Sequence, residues 1–103
     1  MEIKEMQEEA YKIIEEYNKK HNLNHNKDTI FLHLVEEVGE LAKEMNHEKS
    51  NWRADFNREK FEHELIDVLY QILILAKDYD VNLEEVFKRK IKIFRERFGL
   101  KNA

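Results

Sequence analysis

The chain contains no cysteine, no proline and only two glycines among its 103 residues. Without cysteine it can form neither disulfides nor thiolate metal sites. The near absence of turn-forming residues argues against a multi-stranded β domain, because such domains need many tight turns. Glutamate, lysine, leucine and isoleucine are abundant instead, as in long helices. The length allows one hydrophobic core, so we predict a single all-α domain over residues 1–103.

The sequence also lacks a basic excess, an apolar run of membrane-spanning length and the apolar core of a signal peptide. Lysine and arginine number 18 against 22 aspartate and glutamate residues, which gives a formal net charge of −4. Nucleic-acid-binding proteins usually carry a basic face, so this balance argues against a nucleic-acid partner. We therefore expect a soluble cytoplasmic protein with no nucleic-acid or membrane partner.

Apolar residues recur at steps of three and four along four segments, which is the period of amphipathic helices. The predicted helices span residues 2–20, 28–47, 58–78 and 83–98. Asp28 is predicted to cap the second helix, and Asn82 with Glu85 forms a predicted capping box at the start of the fourth. Gly99 is predicted to end the fourth helix. Four helices joined by short polar segments predict an antiparallel four-helix bundle.

The third helix is apolar around nearly its whole circumference between residues 65 and 76. A helix of this kind is normally buried on every side, yet each helix of a four-helix bundle has one side facing water. We therefore expect the additional apolar side to pack against a second copy of the chain, in a homodimer or a homotetramer.

Acidic residues interrupt the apolar pattern of two helices. Asp67 lies inside the apolar third helix, one turn after Glu64 and one turn before Gln71, and we expect it to be buried. Burial of a carboxylate requires a partner or a metal ion. The second helix carries Glu37 and Glu40 at the same i,i+3 spacing, which makes their side chains neighbours. If the two helices face each other, four carboxylates meet at the edge of the core.

Four clustered carboxylates repel one another unless a cation lies between them. Oxygen ligands suit Mg²⁺ or Mn²⁺, and Ca²⁺ also fits this ligand type. A ferritin-like di-iron site would need two Glu-x-x-His motifs, and the sequence has only Glu44-Met-Asn-His47. Two other interpretations stay open: Glu-x-x-Glu spacings are common on solvated helices, and buried carboxylates can set helix pairing in a non-catalytic oligomer.

Three segments of the sequence resemble a known family. Residues 34–43 read LVEEVGELAK, residues 63–70 read HELIDVLY and residues 92–98 read KIFRERF. Together they resemble the MazG-like nucleotide pyrophosphohydrolases of the all-α NTP pyrophosphatase group. The signature of that family is Glu-Glu-x-x-Glu, a variable spacer and Glu-x-x-Asp. The matching residues here are Glu36, Glu37, Glu40, Glu64 and Asp67.

The resemblance implies hydrolysis of a nucleoside triphosphate to its monophosphate and pyrophosphate, as house-cleaning of the nucleotide pool. It implies Mg²⁺ as the cofactor, with Mn²⁺ as a substitute, and the implied ligands are Glu37, Glu40, Glu64 and Asp67. Glu36 would either support these ligands or act as the base that accepts a proton from the attacking water.

The resemblance also implies substrate contacts, because a triphosphate needs protein cations and its base can stack on a ring. We expect these contacts among His47, Trp52, Arg53, Gln71, Lys88, Lys92 and Arg95, with Arg58 and Lys60 as further sources of positive charge. Some relatives carry an asparagine in the last helix that contacts the nucleotide, and residues 91–94 have none. The base and sugar therefore stay open, and a phosphoribosyl-ATP pyrophosphatase of the same group is the alternative.

Overall fold

A computed structural model describes residues 1–24, 26–49 and 56–101, with the backbone alone at 47–49. Four α-helices and no strand occur within these residues, which confirms the predicted all-α class. The helices are α1 (Ile3–Lys20), α2 (Lys27–Lys49), α3 (Arg58–Asp78) and α4 (Leu83–Arg97). Their bounds lie within two residues of the predicted ones. Over the described ranges, no helix combines the length and the hydropathy needed to cross a membrane.

Three helices end through a residue with a positive φ angle. Asn22, Asp80 and Gly99 lie just beyond the last turns of α1, α3 and α4, with φ angles of 52°, 55° and 67°. In each case the next residue donates its N–H to the carbonyl five residues earlier, at 2.7, 2.8 and 2.7 Å. This is the Schellman motif, which satisfies carbonyl groups at a helix end. The predicted stop at Gly99 is confirmed, and asparagine or aspartate serves where glycine is lacking.

The side chain that caps α2 belongs to Asn26. Its Oδ1 accepts hydrogen bonds from the Thr29 backbone N–H at 2.9 Å and from the Thr29 hydroxyl at 3.1 Å. The predicted Asp28 cap is therefore wrong, because the helix begins one residue earlier and Asp28 lies in its first turn. A negative charge there still interacts favourably with the helix dipole. At α4 the Asn82 side chain accepts from the Glu85 N–H at 3.2 Å, which is one of the two hydrogen bonds of the predicted capping box.

The core lies where α1 and α2 pack against the C-terminal half of α3. Its buried residues are Ala10, Ile30, Leu73 and Ile74. The buried Gln7 of α1 donates a hydrogen bond from Nε2 to the Val81 carbonyl at 3.1 Å. This bond ties α1 to the connection between α3 and α4 and so fixes the point from which α4 starts.

The last helix, α4, packs chiefly against α1. No residue of α4, which is described throughout, is buried, although Leu83 at its start packs against the core. The Cα radius of gyration is 16.9 Å, against about 13 Å for a compact domain of this size. One chain by itself therefore does not close the predicted antiparallel four-helix bundle, because α4 extends away from the other helices.

The single chain leaves part of α3 exposed, and the packing of this side against a second copy stays a prediction. Its buried residues are Leu73, Ile74 and Ala76, all in the half that α1 covers. Its exposed apolar residues include Leu65, Ile66 and Leu69, and α2 adds Phe31, Val35 and Val38. The reason is that α1 reaches only part of α3. A broad apolar surface on α2 and α3 consequently faces outward.

Candidate metal centre

Three carboxylates meet between α2 and α3. One oxygen atom from each of Glu37, Glu64 and Asp67 lies within 4.8 Å of the other two. Glu64 and Asp67 are one turn apart on α3 and so share a face. Because α2 packs along α3, it brings Glu37 to the same place. The structure thus gathers three of the four ligands predicted from the sequence.

The electrostatics of this cluster fit a cation. Burial raises the pKa of Glu37, and the negative charges of Asp67 and Glu64 raise it further. Oε2 of Glu64 is buried and has no hydrogen-bond partner within the described part of the chain. A divalent cation would relieve the repulsion and satisfy this oxygen, and carboxylate oxygens are ligands that Mg²⁺ and Mn²⁺ prefer.

Glu40 and Glu36 lie at the border of the cluster. Glu40, one turn after Glu37, is exposed and lies outside the group of three, although its charge contributes to the raised pKa of Glu37. Glu36 is exposed as well, and one of its carboxylate oxygens lies 3.9 Å from Nδ1 of His33. The predicted roles of Glu40 as a ligand and Glu36 as a base stay predictions.

The deeply buried carboxylate of this region belongs to Glu44, two turns after Glu37 on α2. Its side chain is 1% exposed, and Nζ of Lys60 lies 3.2 Å from its Oε1. Asp67 is exposed instead, so its predicted burial is wrong, because α1 leaves the N-terminal half of α3 uncovered. The pair of Glu44 and Lys60 was not predicted from the sequence. The only signal for it is weak, namely that a lysine lies one turn before Glu64.

An open cleft of about 360 Å³ lies beside the carboxylates. Its lining residues are Asn57, Glu59, Lys60, His63, Glu64 and Asp67. Small-molecule sites typically measure about 300–1,000 Å³, so the cleft can hold part of a nucleotide. Lys60 adds a positive charge to its wall, next to carboxylates that could hold a metal ion.

Among the described residues predicted to contact substrate, Lys60 lines the cleft, whereas Gln71, Lys88, Lys92 and Arg95 do not. Trp52, Arg53 and the His47 side chain lie outside the described residues. Lys88, Lys92 and Arg95 lie on α4, which packs against α1, and Nε of Arg95 donates to the Lys101 carbonyl. Gln71 is half-buried on α3, one turn after Asp67, and its Oε1 lacks a hydrogen-bond partner among the described residues.

Comparisons with known proteins connect this geometry to a family. A model described as the MazG nucleotide pyrophosphohydrolase domain matches residues 25–98, which include α2, α3, α4 and the three carboxylates. This family depends on divalent metal ions. The uncharacterized protein YpjD of Bacillus subtilis (strain 168) is 40% identical to this chain over an alignment of 67 residues, and the alignment covers 62% of this chain. The chain spans 60% of the length of that relative. No solved structure matches the chain.

Proposed function

The chain belongs to the MazG nucleotide pyrophosphohydrolase domain family, and from this premise we propose that it is a Mg²⁺-dependent nucleoside triphosphate pyrophosphohydrolase. Its products are a nucleoside monophosphate and pyrophosphate, and both ribo- and deoxyribonucleotides are candidate substrates. The observation that supports this most directly is the group of Glu37, Glu64 and Asp67 oxygens within 4.8 Å of one another. These residues lie inside the matched region and carry the two halves of the family signature.

In the proposed reaction an oxygen of water bonds to the α-phosphorus, and the bond from this phosphorus to the bridging β-phosphate oxygen breaks. When bound, Mg²⁺ offsets the negative charge of the triphosphate and of the departing pyrophosphate. Glu37, Glu64 and Asp67 would hold the ion, with Glu40 as the fourth ligand. Glu36 accepts the proton from the attacking water. Lys60, on the wall of the cleft, compensates part of the remaining phosphate charge.

We further propose that the chain works as a homodimer or homotetramer in the cytoplasm, where it clears nucleotides from the pool. The exposed apolar residues of α2 and α3 support the assembly, because an apolar surface of this extent is usually covered by a partner. A second copy also supplies the helices that α4 and the outer side of α3 lack for a closed bundle.

A product assay tests the activity. The purified protein is incubated with Mg²⁺ and a panel of canonical and modified nucleoside triphosphates together with phosphoribosyl-ATP. We expect pyrophosphate from at least one triphosphate, and a loss of at least about 100-fold in Glu64→Gln, because one ligand is removed. The matched control is Glu62→Gln, an exposed residue on another face of α3. Release of orthophosphate alone contradicts the proposal, as does turnover of phosphoribosyl-ATP alone or of nothing.

A further inference from the structure

An apolar stripe runs along α4. It consists of Phe87, Ile91, Phe94 and Phe98, which are 58%, 44%, 39% and 68% exposed. Their spacing of four, three and four residues places them on one narrow face, as in a helix that packs against one other helix. We call this face the α4 stripe.

Basic residues border the α4 stripe on both sides. The flanking positions are Lys88 and Arg95 on one side and Lys90 and Arg97 on the other. Nζ of Lys90 and Cζ of Arg97 lie 5.5 and 5.6 Å from the centre of the Phe94 ring. Two α4 helices packed stripe to stripe would therefore place like charges opposite each other, which disfavours that pairing. The α4 stripe fits an apolar surface with an acidic border.

The direction of α4 prevents its own chain from covering the stripe. Three contacts at its start set this direction: the Schellman turn at Asp80, the Asn82 cap and the hydrogen bond from Gln7 to Val81. In this arrangement the four residues of the stripe stay exposed. Swinging α4 over its own helices would break the Schellman turn at Asp80 and the hydrogen bond from Gln7 to Val81, so the cover has to come from another molecule.

Helix α1 carries the complementary pattern. Ile13 and Tyr17 are 55% and 52% exposed, and with the half-buried Met6 they form a second narrow face, the α1 stripe. Glu2, Glu9 and Glu16 are exposed and border it at seven-residue spacing on the side away from α3. The separation of Glu9 from Glu16 equals that of Lys90 from Arg97.

The outward apolar residues of α2 lack such a border. The stripe that Phe31, Val35 and Val38 form is flanked by the neutral Leu32, Leu34, Gly39 and Leu41, and an acidic residue, Asp28, lies beside it only at its N-terminal end. Charge complementarity therefore selects α1 over α2 as the surface for α4.

We propose that the α4 stripe of one copy packs along the α1 stripe of a second copy, with Lys90 and Arg97 opposite Glu9 and Glu16. In a symmetric dimer this contact occurs twice. The proposal goes beyond the general self-association above, because it names the contacting surfaces, and it does not depend on the catalytic activity.

Charge reversal in two separate chains tests the contact by molar mass in solution. The first variant carries Lys90→Glu with Arg97→Glu, and the second carries Glu9→Lys with Glu16→Lys. Alone, each places like charges in both contacts, so we expect the dissociation constant to rise about 100-fold. Mixed together, the two variants restore opposite charges in both contacts of a heterodimer. We therefore expect the mixture to assemble where neither variant does alone.

The control variant carries Arg89→Glu with Lys92→Glu. It changes the net charge by the same amount as the first variant, but on the far side of α4, and only its molar mass is measured. We expect it to assemble like the parent. Circular dichroism checks that every variant keeps its helices, and all the substituted residues are exposed. A monomeric parent overturns the proposal. The proposal is also overturned if the variant with Lys90→Glu and Arg97→Glu assembles like the parent. It is overturned as well if the mixture stays as dissociated as its two components.

Discussion

Replacing Glu37 by glutamine should make the protein more stable without divalent cations and less responsive to them. Glu37 is half-buried, and one of its carboxylate oxygens lies within 4.8 Å of an oxygen of Glu64 and of one of Asp67. Its charge is unfavourable there, which is why its pKa is raised. Glutamine has nearly the same shape without the charge. The substitution therefore removes the repulsion but also removes one ligand of the proposed metal ion.

The size of the effect follows from the distance between the carboxylates. Two unit charges about 4.8 Å apart interact by ~1 kcal/mol at the dielectric constant of water. Glu37 meets two such charges, and the exposure of Asp67 screens one of them. We expect Glu37→Gln to raise the free energy of unfolding by about 1–2 kcal/mol in the absence of divalent cations. For a domain of this size that corresponds to about 4–16 °C in Tm.

The pH dependence has a definite sign. Since the pKa of Glu37 is raised above its ordinary value of 4.5 in the folded state, the folded chain binds more protons than the unfolded one in that window. The free energy of unfolding of the parent therefore falls as pH rises from 4.5 through the raised pKa. The advantage of Glu37→Gln should be absent below pH 4.5 and complete above the raised pKa.

The assay is thermal unfolding by circular dichroism at one protein concentration, with EDTA or with Mg²⁺. A saturating ligand at 100 times its dissociation constant stabilises the folded state by about 2.7 kcal/mol. We expect the parent to gain this in Mg²⁺ and Glu37→Gln to gain much less, so that their order of stability inverts. Glu62→Gln should follow the parent throughout. If Glu37→Gln is the less stable protein in EDTA at neutral pH, the repulsion argument is refuted.

Substitutions at three further positions test the fold. Lys60→Met should lower the free energy of unfolding by about 1–2 kcal/mol, because it removes the cation 3.2 Å from the buried Glu44; urea unfolding that matches the parent contradicts this. Asp80→Gly should raise the free energy of unfolding by up to about 1 kcal/mol, because the φ angle of 55° at this position favours glycine. Asp80→Ala should lower the free energy of unfolding, because alanine is strained at this φ angle. Gly39→Ala should raise the free energy of unfolding by about 1 kcal/mol, because an added Cβ would have no described atom within 4 Å apart from its chain neighbours and the backbone of its own helix. A loss of stability indicates that a second copy approaches there.

Local signals in the sequence predict most of the secondary structure. Helix periodicity and cap residues depend on neighbours a few positions away, and the observed bounds of all four helices follow them closely. The Asp28 cap was mispredicted because Asn26, two residues earlier, also has a capping side chain. Choosing between two such residues depends on which residue is the first with helical φ and ψ angles, and the sequence pattern does not fix this residue.

The site is only partly predictable because burial depends on which helices meet. The i,i+3 spacings place Glu64 and Asp67 on one face, and the structure adds Glu37 from α2. The identity of the buried acid does not follow from these spacings. The apolar residues around Asp67 in the sequence predicted that Asp67 is buried, but the packing of α2 along α3 buries Glu44 instead. Contacts between helices, and between copies, do not follow from the periodicity of one helix.

Net charge misleads for a related reason, because it averages over surfaces that differ. Together α2 and α3 carry eleven acidic residues against six basic ones, whereas α4 carries six basic residues against three acidic ones. A divalent cation among the three carboxylates offsets the surplus where a triphosphate would lie. If Lys90 and Arg97 face a partner's α1, then Lys88 and Arg95 on the other flank keep a positive surface for phosphate. A formal charge of −4 therefore does not exclude an anionic nucleotide substrate.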